Sequence, residues 1–194
     1  GNAENREDIH YLLENFPGIV VVDEAYIDFS SEPSLIHELD QYPNLLVMQT
    51  FSKAWGLASL RLGMAFASPE LIAILNQIKP PYNISGLTQE TVLAALPNKG
   101  KVEELIQKII EERTFLKQEL EKLPDVLKIH PSDANFLLVQ VPDANRFYDG
   151  LIEEKVIVRN RSTVLHCEGC LRITVGTRDE TLALLQAFKK IATN

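Results

Sequence analysis

The segment "IVVVDEA", Ile19 to Ala25, restricts the fold more than any other: a continuous, largely β-branched run that ends in two acids. Such a run reads as a strand covered on both faces, as in a parallel sheet, since a strand with one wet face alternates apolar and polar residues. "NLLVMQTF", Asn44 to Phe51, repeats that character, and "SLIHELDQYP" between the two reads as a short helical connection. Strand, helix and strand then make a βαβ unit.

The remaining periodicities complete an α/β chain. Asn5 with Asp8 three residues on marks a helix start, and Ile9, Leu12, Leu13 and Phe16 follow at helical spacing until Pro17-Gly18. "RLGMAFAS" reads as a third strand and "PELIAILNQIK" as a helix. The longest periodic segment, Lys101 to Leu123, carries Val102, Leu105, Ile106, Ile109, Leu116, Leu120 and Leu123 on one stripe, its charges forming the solvated face. Beyond Pro124 come a strand "NFLLVQV", a helix "NRFYDGLIEEK", strands "VIVRN" and "CLRITVG", and a last helix opened by Thr177 and Glu180. The expected organisation is residues 1–100 as part of a large sheet domain and 101–194 as a smaller α+β domain. The boundary falls near "LPNKGK" or inside the long helix.

A net charge of -8 and a pI near 5.1 argue against a nucleic-acid surface, which needs a basic patch. No apolar run approaches the roughly 20 residues of a membrane helix, and "GNAENREDIH" lacks the apolar core of a secretory signal. A cytoplasmic protein acting on small molecules is expected. The two cysteines, in "HCEGC", are too few for a disulfide framework. With His166 they make three potential ligands, but zinc sites usually draw a second ligand pair from elsewhere, so no metal is expected. They read as two small residues near a turn at Gly169.

Ligands of open α/β sheets bind beyond the carboxyl ends of the strands. There the sequence places Asp23, Tyr26, Ser52 and Lys53, with Arg61 returning from the next segment. Alone, Lys53 reads as a solvated lysine after a strand; the set reads otherwise. Pyridoxal phosphate needs an amine to attach it covalently, an acid to keep its pyridine nitrogen protonated, and cationic or hydroxyl donors for its phosphate.

The stretches "VVVDEAYIDFS", "TFSKAWGLASLRLG", "PSDANFLLV" and "GCLRITVGTRDE" together resemble the second half of the histidinol-phosphate aminotransferase family, fold-type-I pyridoxal-phosphate enzymes of histidine biosynthesis. The resemblance spans essentially the whole chain. It implies that Asp23 pairs with the pyridine nitrogen, Tyr26 with the ring's phenolic oxygen, and Ser52 and Arg61 with the cofactor phosphate. Lys53 would hold the cofactor and carry the substrate proton, while Arg159 and Arg172 would bind the acidic ends of substrates. It further implies a homodimer that exchanges an amino group between histidinol phosphate and 2-oxoglutarate. The family's phosphate-anchoring turn, ring-stacking aromatic and ring asparagine belong to a first half that this sequence does not contain. On that reading the chain is a truncated or proteolytic fragment, folded but inactive alone. A related phospho-amino-acid decarboxylase and a non-catalytic folded fragment stay open as alternatives. Trp55 reads equally as packing or as a cofactor contact, and Tyr82 and Asn83 sit in a loop of open role.

Overall fold

Asn5 starts the first helix, α1 (Arg6–Asn15), because its side chain accepts from the Glu7 amide at 2.9 Å. Glu7 and Asp8 in the first turn favour the same end through the helix dipole. In the computed structural model, which describes residues 1–192, this helix belongs to a unit spanning Ala3–Glu104. The unit's sheet runs in the order β1 (Val20–Asp23), β2 (Leu45–Thr50), β3 (Gly63–Ala67). β1 lies parallel to β2 and β3 antiparallel to it, which makes the sheet mixed. One sheet face is buried: Leu45 and Val47 cluster with Leu13 of α1 and with Leu35, and Val20 and Val22 pack against them.

Two expectations change here. The "IVVVDEA" run is covered on one face only, because α1 and the residues after Ser34 pack on the side of Val20 and Val22. Val21 points to the opposite face and is 53% exposed on an edge strand. The connection from β1 to β2 contains two short 3-10 turns, Ile27–Phe29 and Leu35–Glu38, and the second stands in place of the expected helix. Pro33 lies just before it, and Pro43 disfavours helical backbone at Tyr42, which leaves little room for more than one turn.

Glu24 fixes that connection. It is buried, and its carboxylate accepts from the Leu35 amide (2.7 Å), the Ser34 hydroxyl (2.6 Å) and the Gln49 side-chain amide (2.9 Å). Removing it takes the acceptor from one buried donor, the Leu35 amide, and from two half-buried ones. Glu24→Ala is therefore expected to lower stability by about 3 kcal/mol. Urea unfolding monitored by circular dichroism measures this, and a loss under about 1 kcal/mol, the net worth of one ordinary hydrogen bond, would contradict it.

Next come α2 (Pro69–Ile78), capped by Ser68, and α3 (Gly86–Ala95), capped by Ser85. α3 was not expected, since Val92 is its single buried residue and no apolar stripe forms. In α4 (Lys99–Leu120) the buried residues are Ile106, Leu116 and Leu120, whereas Leu105 of the expected stripe is exposed. The division between the two compact units falls inside α4, after Glu104.

The second unit comprises Gly1–Asn2 and the chain from Leu105 onward. Its sheet has the order β4 (Lys128–Ile129), β5 (Phe136–Gln140), β7 (Cys170–Thr174), β6 (Arg159–Asn160), antiparallel throughout. α5 (Ala144–Glu153) and α6 (Arg178–Ala192) complete it. Leu137, Val139, Leu171 and Ile173 from the sheet share one core with Leu116 and Leu120 of α4, Phe147 and Leu151 of α5, and Leu184, Phe188 and Ile191 of α6. Gly150 lets α5 approach α6 closely: a Cβ there would sit 2.8 Å from Ile191 Cγ1. The "VIVRN" strand shrinks to Arg159–Asn160, because Val158 turns into the core while Ile157 is left exposed. Thr177 and Glu180 cap α6 reciprocally as expected, the Thr177 amide reaching Glu180 Oε2 at 2.7 Å and the Glu180 amide reaching Thr177 Oγ1 at 3.4 Å. The last two residues of the expected 101–194 domain lie outside the described residues.

Candidate active site

Parallel pairing of β1 with β2 sets Asp23 beside Met48, so the two strands end on the same edge of the sheet. The chain leaves β2 through Thr50 and Phe51 into Ser52 and Lys53, and returns through Arg61 into β3, whose first residue Gly63 pairs with Thr50. All five sequence-derived residues of this unit therefore gather at one edge. Lys53 Nζ stands 5.0 Å from the centroid of the Tyr26 ring, an ammonium over an aromatic face. Asp23 is exposed and accepts from the Ala25 amide at 3.0 Å, a local turn that aims the carboxylate off the strand end.

Two features at this edge were not legible beforehand. Thr50 Oγ1 accepts from the Ser52 amide at 3.0 Å and lies 2.9 Å from the Ser52 hydroxyl, which holds Ser52 in place. Arg61 occupies the left-handed region at φ 53°, which is uncommon outside glycine and concentrates at functional sites. Its guanidinium donates to the Ala58 carbonyl at 3.1 Å. Trp55 packs edge-on against Phe51, ring centroids 5.5 Å apart.

Arg159 and Arg172 occur in the second unit, directly opposite each other in the β6–β7 ladder. Residues so paired project on one face with Cβ atoms about 4.5–5.5 Å apart. Arg172 also lies over the Phe136 ring, its Cζ 3.9 Å from the centroid. A cavity of about 370 Å³ in this unit is lined by Arg113, Lys117, Gln118, Ser132 and others, and none of the seven sequence-derived residues borders it. Among the described residues no three His, Cys, Asp or Glu side chains converge as a metal site.

The family model for aminotransferase class I and II matches residues 1–188. The chain belongs to that family. Among its relatives, the histidinol-phosphate aminotransferase of Cytophaga hutchinsonii is 53% identical over 189 residues, covering 97% of this chain and 54% of that protein. The chain thus spans about half the length of the curated relatives it matches. In three dimensions it is similar to the histidinol-phosphate aminotransferase of Clostridium acetobutylicum, with a TM-score of 0.91 at 22% identity, covering 100% of this chain and 61% of that one. The Sinorhizobium meliloti enzyme, solved in complex with pyridoxal-5'-phosphate, gives a TM-score of 0.86 at 24% identity and coverages of 100% and 54%. The fold is that of the fold-type-I aminotransferases.

The residues present fit pyridoxal phosphate on chemical grounds. The sheet edge offers an amine and a hydroxyl on one turn, a phenol against the amine, an exposed carboxylate at a strand end and a guanidinium just before β3.

Proposed function

We propose that, in the whole protein, this chain is the lysine-bearing half of an aminotransferase that uses pyridoxal phosphate to move an amino group between histidinol phosphate and 2-oxoglutarate in histidine biosynthesis. The observation that carries the reading is the Lys53 ammonium over the Tyr26 ring, at the sheet edge where Asp23 ends β1. Identity of 53% to a histidinol-phosphate aminotransferase supports the choice of substrate. When bound, the cofactor supplies an electron sink for the bonds at the substrate carbon. Lys53 attaches it and moves the proton at Nζ. Tyr26 orients that amine, Asp23 holds a proton on the pyridine nitrogen, and Ser52 and Arg61 bind the phosphate. We read residues 1–100 as part of the cofactor domain and 101–194 as the smaller domain. Arg159 and Arg172 on the smaller domain bind the substrate's anionic groups, since two guanidinium forks suit phosphate or carboxylate.

We further read the whole protein as a cytoplasmic homodimer. The free thiols of Cys167 and Cys170 suit a reducing compartment, and the exposed Ile78, Tyr82 and Leu87 suit a subunit contact. By itself the chain is expected to lack turnover, because positioning supplies much of catalysis and the relatives it resembles are about twice as long.

Borohydride reduction of the whole protein loaded with pyridoxal phosphate, followed by peptide mapping, tests the assignment. The pyridoxyl group is expected on Lys53, and a label on another lysine overturns it. Arg172→Ala is expected to raise KM for the phosphorylated substrate by roughly tenfold to a hundredfold, the worth of one charged hydrogen bond, with the cofactor spectrum unchanged. An unaltered KM would remove Arg172 from the substrate site.

A further inference from the structure

Both cysteines of the chain, Cys167 at the end of the loop from β6 and Cys170 as the first residue of β7, are free thiols. Cys167-Glu168-Gly169-Cys170 is a tight turn closed by the Cys170 amide, which donates to the Cys167 carbonyl at 3.0 Å. Gly169 sits at φ 71°, the conformation that a type II turn needs at its third position. A Cβ at Gly169 would also lie 2.9 Å from the Val141 carbonyl oxygen. Such turns bring their first and fourth Cα atoms within about 7 Å, and disulfides bridge Cα separations of about 4.4–6.8 Å. The backbone thus holds the two Cα atoms at a separation compatible with a disulfide.

We propose that Cys167 and Cys170 are a thiol–disulfide modification site, closed by a low-molecular-weight disulfide such as glutathione disulfide. The roles of the two thiols follow from their surroundings. Cys167 is half-buried and open to a solute, whereas Cys170 is 1% exposed and closed to one. Cys167 attacks one sulfur of the oxidant, forms a mixed disulfide and releases one thiol. Cys170 then attacks Cys167 Sγ and releases the second thiol. Two protein thiols lose two electrons and two protons, and the oxidant's S–S bond becomes two thiols.

His130 provides for the second step. Its Nε2 lies 4.0 Å from Cys170 Sγ, and burial together with the nearby Lys128 ammonium holds its pKa below the ordinary imidazole value. The ring is therefore neutral near pH 7, and in the tautomer that leaves Nε2 without hydrogen it can take the Cys170 proton. Burial, with Cys167 and Glu168 close by, pushes the Cys170 thiol up, so a proton acceptor beside it matters. The ring would close two residues before Arg172, on a hairpin where the Arg161 amide donates to the Cys170 carbonyl at 2.8 Å. This assignment stands apart from the aminotransferase reading, since thiol chemistry is scored without turnover.

The test incubates the full chain over a series of reduced-to-oxidised glutathione ratios, traps free thiols by alkylation and maps the products by mass. The expected product is a peptide containing residues 167–170 that has lost two hydrogens, takes up no alkylating agent and returns to two thiols with dithiothreitol. Cys170→Ser should instead accumulate a glutathione adduct at Cys167, while Cys167→Ser should stay almost unmodified at Cys170. His130→Ala should slow conversion of the mixed disulfide to the closed ring and leave its first formation unchanged. Two alkylated thiols at every ratio, or a wild-type chain that stops at the same glutathione adduct as Cys170→Ser, overturns the proposal.

Discussion

Lys53→Ala in the whole protein is expected to lower the proposed aminotransferase kcat by about 10⁴-fold, the upper end of what one positioned proton carrier contributes. The fold should survive. Lys53 is partly exposed, and its contact with the Tyr26 ring has the geometry of an exposed cation–π pair, worth about 0.5–1 kcal/mol. The thermal midpoint should therefore move little while turnover collapses, a separation that a general loss of structure cannot produce. Steady-state kinetics beside a circular dichroism melt measures both. Turnover within tenfold of the parent would place the chemistry on another residue.

Phe147→Ala is expected to act in the opposite sense, with a loss of about 3–5 kcal/mol of stability and no direct effect on the site residues. Phe147 is 1% exposed at the centre of the second unit's core, its ring 5.1 Å from that of Phe188. Truncation removes the burial of an aromatic ring and leaves a cavity between α5 and α6 that their backbones, already in close approach at Gly150, fill poorly. Urea unfolding followed by tryptophan-independent circular dichroism gives the value. A cost below about 1.5 kcal/mol, near the burial energy of the smallest core side chains, would show that the helices collapse onto the vacated space.

The strands of the first unit were legible because β-branched runs admit few other structures, and the strand-end rule then selected Asp23, Ser52 and Lys53 without any contact information. Exposure of Val21 was not legible: a run of valines states that burial is possible on both faces, and only the elements packed on each face decide whether it happens. Glu24 could have been found. Successive strand residues point to opposite faces, so of two consecutive acids after a buried run, one must turn inward and find donors. α3 left no signal, since helix formation there rests on its Ser85 cap and not on a buried stripe. The arginine pair was legible as two residues and illegible as a pair, because the ladder register that sets Arg159 against Arg172 depends on how the intervening loop folds.

If Arg159 and Arg172 bind an anion as proposed, that register ties the stability of the protein to the solution around it. Two like charges directly opposite in an antiparallel ladder destabilise the sheet, and a dianion bound between them reverses the sign. The unfolded chain holds no such pair, so an anion that binds it stabilises the native state by about 2.7 kcal/mol when present at a hundred times its dissociation constant. Phosphate and chloride buffers matched for ionic strength should then give different melting temperatures for the same polypeptide, and replacing Arg159 by a neutral residue should narrow the gap. A melting temperature measured in phosphate is a property of the chain and its buffer together.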